Sequence, residues 1–73
     1  MEKLSCDEIR SLYGVDPCEM QDVTYYVNDA GMLVIVSKAA IKFDRNKKPV
    51  ETIYGSFSDS HFYYFRKIQE DKQ

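Results

Sequence analysis

The 73-residue sequence has no tryptophan, one histidine, two cysteines, two prolines and three glycines. Two cysteines are too few for a disulfide scaffold, and neither a Cys-x-x-Cys nor a His-x-x-x-His pair is present to suggest a metal centre. The glycines are isolated, so no glycine-rich loop is available to hold phosphate. No apolar run is long enough to cross a membrane. We therefore expect no metal, no cofactor and no membrane contact.

The two cysteines, Cys6 and Cys18, are interpreted as reduced thiols. Residues 1–13 carry charges where the apolar centre of an export signal would have to be, which predicts a cytoplasmic protein. A Cys6–Cys18 bridge is the alternative. A Cys/His hydrolase with Cys6 as nucleophile and His61 as base has no evident loop for an oxyanion hole, so we predict that the protein is not an enzyme and has no catalytic residues.

Aromatic residues are the abundant class. Six tyrosines and four phenylalanines make up 14% of the chain, within a composition that is 44% hydrophobic and 30% charged. This balance is typical of an ordered domain, and 73 residues predict a single one, residues 1–73. Tyrosine at this density favours half-buried sheet faces and protein-binding surfaces, because the ring buries area while the hydroxyl stays hydrated.

The clearest local signal is at the start of the chain. Ser5 and Glu8 form a capping-box pattern, and Asp7 and Glu8 fall in the first turn, where the helix dipole favours negative charge. Apolar residues at helical spacing then predict a helix over residues 6–13, which Gly14 ends in a left-handed conformation. Residues 15–21 predict a connector, read either as a turn or as a short helical turn beginning at Pro17.

Alternating apolar and aromatic residues predict strands over residues 23–27, 32–43, 50–57 and 61–68, followed by a polar tail over residues 69–73. The run 32–43 is the longest apolar stretch and is assigned as the central strand. Residues 28–31 and 44–49 are the intervening turns. The predicted fold is α+β, with a short N-terminal helix packed on a four-stranded antiparallel β-meander.

Charge is distributed unevenly along a chain whose net charge is −2. Residues 1–29 hold seven acidic and two basic side chains, whereas residues 30–50 hold five basic side chains and one acidic side chain. Both regions are either solvated surface or places where a partner docks.

Two adjacent tyrosine pairs, Tyr25-Tyr26 and Tyr63-Tyr64, are predicted to send one ring to each face of the sheet. The outward rings and nearby cations are the candidate partner-binding residues. The full set is Tyr25, Tyr26, Lys38, Lys42, Arg45, Lys47, Lys48, Tyr63, Tyr64 and Arg66. We expect a protein partner, because the pI of about 5.2 argues against a stand-alone single-stranded RNA or DNA binder, which is the alternative. The oligomeric state is left open.

The acidic capped segment 5–13, the basic turn 44–49 and the aromatic strands give the chain a resemblance to small cytosolic proteins with which bacteriophages take over host machines, including those that bind host RNA polymerase. The resemblance lies in size, charge polarity and layout, and no motif carries a functional residue across. It implies a non-enzymatic regulator in the host cytoplasm that docks on RNA polymerase and modulates or inhibits transcription. Inhibition of another host machine, such as a defence nuclease, is a further alternative.

Overall fold

The structure is a computed structural model that describes residues 4–55 and 59–68. Within these ranges the chain forms one α-helix, one short 3-10 helix and five β-strands. The bounds are α1 Cys6–Tyr13, the 3-10 helix Pro17–Glu19, β1 Val23–Val27, β2 Leu33–Ser37, β3 Ala40–Phe43, β4 Pro49–Ile53 and β5 His61–Phe65. None of the described helices has the length and apolar character required to cross a bilayer.

Helix α1 begins and ends where the sequence predicts. The Glu8 backbone N–H donates to Ser5 Oγ at 3.2 Å, and the Ser5 backbone N–H donates to Glu8 Oε1 at 2.8 Å. These two bonds form the predicted capping box and satisfy amide donors that the first helical turn leaves free. At the other end, Gly14 has φ 77° and donates its N–H to Arg10 O, so the left-handed glycine cap is confirmed.

The connector after α1 adopts the second of the two predicted conformations. Pro17 opens a single 3-10 turn, and Asp16 caps it by accepting the Cys18 N–H through Oδ1 at 3.0 Å. Proline suits this position because the first helical residue needs no intrahelical amide bond.

The predicted four-stranded meander is wrong. Three strands form one antiparallel sheet in the order β1-β2-β5, and the other two form a separate hairpin, β3-β4. Ile35, at the centre of β2, lies opposite Tyr25 on one side and Tyr63 on the other. Strand β2 is therefore central, as predicted, but its second neighbour is the last strand of the chain instead of the next one.

The predicted long strand 32–43 is divided by a bend at Lys38 and Ala39. A continuous 12-residue strand would extend about 40 Å, more than twice the length of its five-residue partners. The bend returns the second half of the run over the sheet, where Ile41 is buried. Ser37, which is also buried, accepts the Ala39 N–H through Oγ at 3.0 Å and so satisfies one amide of the bend.

The hairpin β3-β4 packs on the three-stranded sheet through aromatic contacts. The Phe43 ring lies edge-on to Tyr63 and Phe65, with centroids 5.4 Å and 5.2 Å apart. The Ile41 backbone N–H donates to the Tyr63 hydroxyl at 2.7 Å, which joins the hairpin to β5 directly. The hairpin pairs Ala40 with Ile53, and its register shifts between Lys42 and Phe43.

The last two strands are shorter than predicted. Strand β4 begins at Pro49, one residue before the predicted start at residue 50, and ends at Ile53. Strand β5 begins at His61 as predicted and ends at Phe65 instead of residue 68. Residues 56 and 57, at the end of the predicted third strand, lie outside the described residues, as do Ser58 and the predicted tail 69–73.

The core lies between the three-stranded sheet and the elements that pack on one of its faces. Its fully buried members are Ile9 and Tyr13 of α1, Val15 of the connector, and Leu33 and Ile35 of β2. The Tyr13 hydroxyl donates to Gly31 O at 2.9 Å, so the largest of these side chains has a hydrogen-bond partner. A two-turn helix gains its stability from this packing, since one so short is unstable alone.

Candidate docking face

The three-stranded sheet has two chemically different faces. Its odd-numbered residues face α1 and the hairpin, and we call this side the covered face. Its even-numbered residues form the other side, which we call the open face. The residues of the open face are Thr24, Tyr26, Val34, Val36, Phe62 and Tyr64. The two valines, on the central strand, are buried or partly buried, and the other four, on the outer strands, are exposed.

Three aromatic rings dominate the open face. The exposed fractions are 44% for Tyr26, 51% for Phe62 and 54% for Tyr64. Side chains of this size present 150–250 Å² each, so together the three expose roughly 300 Å². Tyr26 and Tyr64 lie on either side of the buried Val34 in the register, and Phe62 lies two residues from Tyr64 along β5. An apolar area of this size is comparable to the largest patch on a typical monomer, and such patches are often functional.

The four predicted tyrosines divide between the two faces, as strand alternation requires. Tyr26 and Tyr64 lie on the open face, whereas Tyr25 and Tyr63 are half-buried on the covered face. Tyr63 holds the hairpin through its hydroxyl, and the Tyr25 hydroxyl lies 3.6 Å from Cys6 Sγ. Tyr25 and Tyr63 are therefore placed to pack the interior, and Phe62, which was absent from the predicted set, joins the outward pair. The same alternation identifies it.

The predicted basic residues are not collected into one patch. Five of them are exposed at scattered positions. They are Lys38 at the bend, Lys42 in β3, Arg45 and Lys48 in the turn 44–49, and Arg66 after β5. Lys47 differs from them, because its ammonium group donates to Tyr13 O at 2.9 Å. That carbonyl is one of those left free at the end of α1, so Lys47 caps the helix.

The basic turn and the aromatic rings lie on opposite sides of the sheet. Lys47 contacts the end of α1, and α1 packs on the covered face. The cations of the turn are therefore separated by the thickness of the sheet from Tyr26, Phe62 and Tyr64. A nucleic-acid strand stacked on these rings would not reach them.

Charges of both signs border the open face. At one end of the sheet, Lys38 follows β2 and Asp22 precedes β1. At the opposite end, Arg66 and Lys67 follow β5, and Asp29 lies just beyond β1. All five of these side chains are exposed. An aromatic centre with a rim of mixed charge is typical of protein–protein interfaces.

A second exposed apolar surface lies on the hairpin. Val50, Ile53 and Tyr54 are each more than half exposed. Val50 and Tyr54 border a cavity of about 310 Å³ between β4 and the 3-10 helix, which Met20 and Ile41 also line. The register shift of the hairpin leaves Val50 without a pairing partner, so this surface lies on an irregular ribbon, unlike the regular sheet beneath the open face.

Comparison with protein-family models, curated proteins and solved structures finds no match. A proposal for the function therefore rests on the exposed rings and their surroundings. Their position on a hydrogen-bonded three-stranded sheet holds them in fixed relative places, which lowers the entropy lost on docking.

The interpretation of the cysteines as free thiols is wrong for this structure. Cys6 and Cys18 are joined by a disulfide, with their Cα atoms 6.3 Å apart. Asp16 lies beside them, and its carboxylate, Cys6 Sγ and Cys18 Sγ all lie within 4.8 Å of one another. In this state Cys6 is bonded to Cys18, so it offers no free thiol for the Cys6/His61 hydrolase pair, which the sequence already disfavours. A pair of cysteines 12 residues apart carried no spacing signal for such a cluster.

Proposed function

We propose that the protein is a non-enzymatic docking module whose open face binds a protein partner. The observation that supports this most directly is the exposure of Tyr26, Phe62 and Tyr64 on one sheet face. Tyrosine and phenylalanine rings bury a large area at low conformational cost and are common energetic centres of interfaces. Their roughly 300 Å² would form the centre of a standard interface of about 800 Å² per partner, with the mixed charges as its rim.

The layout of charge favours a protein partner over a single nucleic-acid strand. A stacking platform for single-stranded RNA or DNA needs cations along the path of the phosphates beside the rings. Here the basic turn lies across the sheet from the rings. The cations that do border the rings, Lys38, Arg66 and Lys67, lie at the two ends of the sheet beside acidic residues and form no continuous track. The rim also carries Asp22 and Asp29, which repel phosphate. Stand-alone nucleic-acid binding is therefore the second candidate.

The specific partner that we propose is bacterial RNA polymerase, with modulation or inhibition of transcription in the host cytoplasm as the outcome. The support is the resemblance in size and charge layout to bacteriophage proteins that take over host machines. The exposed basic turn also supports it, because on a polymerase this side of the molecule would face nucleic acid while the rings hold protein. A defence nuclease is the alternative host target.

The proposal is tested by measuring binding of the full chain to purified, nuclease-treated bacterial RNA polymerase. Tyr26→Ala and Tyr64→Ala should each weaken binding about thirtyfold, since truncation of a central aromatic anchor costs about 2 kcal/mol. Tyr54→Ala is the matched control, because Tyr54 is 63% exposed and lies on the hairpin. It should leave the affinity unchanged.

Three results would contradict this assignment. Undetectable binding to the polymerase would remove the proposed partner, and loss of binding only in Tyr54→Ala would transfer the site to the hairpin. For the second candidate, affinity for single-stranded RNA and DNA is measured across salt concentrations with Lys48→Glu. Strong binding with a salt slope that Lys48→Glu reduces by about one unit would establish the nucleic-acid function instead.

A further inference from the structure

Three potential metal ligands meet where α1 begins and the 3-10 helix forms. The Sγ atoms of Cys6 and Cys18 and a carboxylate oxygen of Asp16 all lie within 4.8 Å of one another. Cys6 is half-buried in the first turn of α1, whereas Cys18 is exposed in the 3-10 helix. The cluster lies on the covered face, where Cys6 Sγ is 3.6 Å from the Tyr25 hydroxyl, so it is separate from the open face that carries the docking function proposed above.

We propose that this cluster, in its dithiol form, binds a thiophilic divalent cation of the zinc class. The structure holds the sulfurs as a disulfide, which a dithiol or phosphine reductant converts to two thiols by supplying two electrons while two protons are taken up. Binding of the ion then forms two sulfur–metal bonds and releases the two thiol protons. Asp16 supplies the third ligand, and a water molecule completes four-coordination.

The dimensions of the cluster suit such an ion. Zinc binds thiolate sulfur at about 2.3 Å and carboxylate oxygen at about 2.0–2.2 Å, so tetrahedral ligand atoms lie roughly 3.4–3.8 Å apart. A ligand set within 4.8 Å can close on a single ion with small side-chain rotations. After reduction the sulfurs must separate, and the exposed Cys18 can turn outward without disturbing the core, of which neither cysteine is a member.

The groups around the ligands fit a cationic occupant that carries thiolates. Asp16 Oδ1 accepts the Cys18 N–H at 3.0 Å, and Asp16 Oδ2 accepts from Arg10 Nη1 at 3.0 Å, which orients the carboxylate beside the sulfurs. The Tyr25 hydroxyl lies 3.6 Å from Cys6 Sγ and can donate to a thiolate there. Two thiolates and one carboxylate with a divalent ion retain one negative charge, and the Arg10 guanidinium, which also pairs with Asp7, lies beside it. Such surrounding hydrogen bonds tune metal affinity in known sites.

Oxidation and metal binding are mutually exclusive in this arrangement. The disulfide uses both sulfurs, so the ion binds only under reducing conditions, and bound metal in turn protects the thiols from oxidation. The Cys6–Cys18 pair therefore has two alternative states that are selected by the redox conditions and the supply of the cation.

The test uses the full chain in two forms, oxidised and phosphine-reduced with the reductant removed under anaerobic conditions. Titration calorimetry with Zn²⁺ alone should give one ion per reduced chain and no binding to the oxidised chain. Cd²⁺ should produce a thiolate-to-metal charge-transfer band in the reduced chain.

Variants test the ligand assignment. Asp16→Asn keeps an oxygen to cap Cys18 and should weaken Zn²⁺ binding at least tenfold. Glu19→Gln, at the exposed residue next to Cys18, is the control and should leave the affinity unchanged. Cys18→Ser should weaken binding at least a hundredfold.

Zn²⁺ should also raise the Tm of the reduced wild-type chain and leave that of the oxidised chain unchanged, a readout that does not depend on any variant folding. Three outcomes overturn the proposal. The first is that Zn²⁺ gives neither binding heat nor a Tm shift with the reduced chain. The second is that the oxidised chain binds Zn²⁺ as tightly as the reduced chain. The third is that one ion binds per two chains and Asp16→Asn does not change the affinity. The last would assign the ion to sulfurs from two copies of the chain.

Discussion

At the residue scale, the capping box of α1 gives the most direct test of local structure. Ser5→Ala removes the oxygen that accepts the Glu8 N–H and should lower the free energy of unfolding by about 1 kcal/mol. Ser11→Ala is the control, because Ser11 is an exposed residue inside the same helix and alanine is the best helix former. Urea denaturation of both variants measures the difference, and an equal effect at the two positions would show that the cap contributes nothing.

Lys47 is a basic residue whose role in the structure is local. Its ammonium group bonds Tyr13 O, and its backbone is left-handed with φ 64°. Lys47→Met keeps the aliphatic stem but removes the donor, so it should lower the free energy of unfolding by about 1 kcal/mol. Lys48→Met, at the exposed neighbour, should change it by less than about 0.5 kcal/mol. Thermal unfolding of the two variants compares them, and equal melting temperatures would contradict a capping role for Lys47.

At the scale of elements, one hydroxyl joins the hairpin to the three-stranded sheet. Tyr63→Phe leaves the amide of the buried Ile41 without the oxygen to which it now donates. An unsatisfied buried donor costs about 1–3 kcal/mol, so we expect a destabilisation in this range. Tyr64→Phe is the matched control on the open face and should be close to neutral. Denaturant unfolding separates the two, and a neutral Tyr63→Phe would mean that water replaces the lost acceptor.

The two tyrosines of each adjacent pair also differ in function at this scale. Strand alternation assigns Tyr25 and Tyr63 to packing and leaves Tyr26 and Tyr64 to the proposed interface. Alanine substitutions on the covered face should therefore mainly lower stability, whereas those on the open face, where the rings are about half exposed, should lower partner affinity with a smaller loss of stability. Variants that lose affinity without losing stability are the ones that report on docking.

At the scale of the whole molecule, the disulfide stabilises a domain with a small core. It closes a 12-residue separation between α1 and the 3-10 helix. A cross-link that closes a loop of this length restricts the unfolded chain, which in the entropic model raises the free energy of unfolding by about 3 kcal/mol. The double variant Cys6→Ser/Cys18→Ser should unfold at correspondingly lower denaturant concentration than the oxidised wild type.

The reduced, metal-free wild type provides the control for that comparison. It retains both cysteine side chains but lacks the cross-link, so its stability should match that of the double variant. If instead the reduced chain were as stable as the oxidised one, the cross-link would restrict little of the unfolded ensemble.

The features that the sequence predicts correctly depend on residues within a few positions of each other. The start of α1 follows from Ser5 and Glu8, and its end follows from Gly14. The turn 28–31 follows from Asn28, whose side chain accepts two backbone N–H groups, and from Gly31 with φ 81°. Within the candidate site, alternation alone identifies which ring of each tyrosine pair faces outward.

The strand order was not predictable in the same way. A meander and the observed β1-β2-β5 arrangement place largely the same residues in strands, and they differ chiefly in which distant strand pairs with β2. The closure of long loops and the burial of Ile41 and Phe43 decide between them, and neither is encoded in a local pattern. The bend at Lys38 and Ala39 is a consequence of that choice.

Short-range hydrogen bonds and side-chain sterics act within a few residues, so the sequence alone sets the helix with its caps, the tight turn after β1 and the alternation of outward and inward rings. Packing of the whole chain sets the rest: β5 instead of β3 pairs with β2, Lys47 caps α1, the basic turn and the exposed rings lie on opposite sides of the sheet, and Cys6 meets Cys18 beside Asp16. These depend on contacts between residues far apart in the chain, whose energies are settled together when the whole core packs.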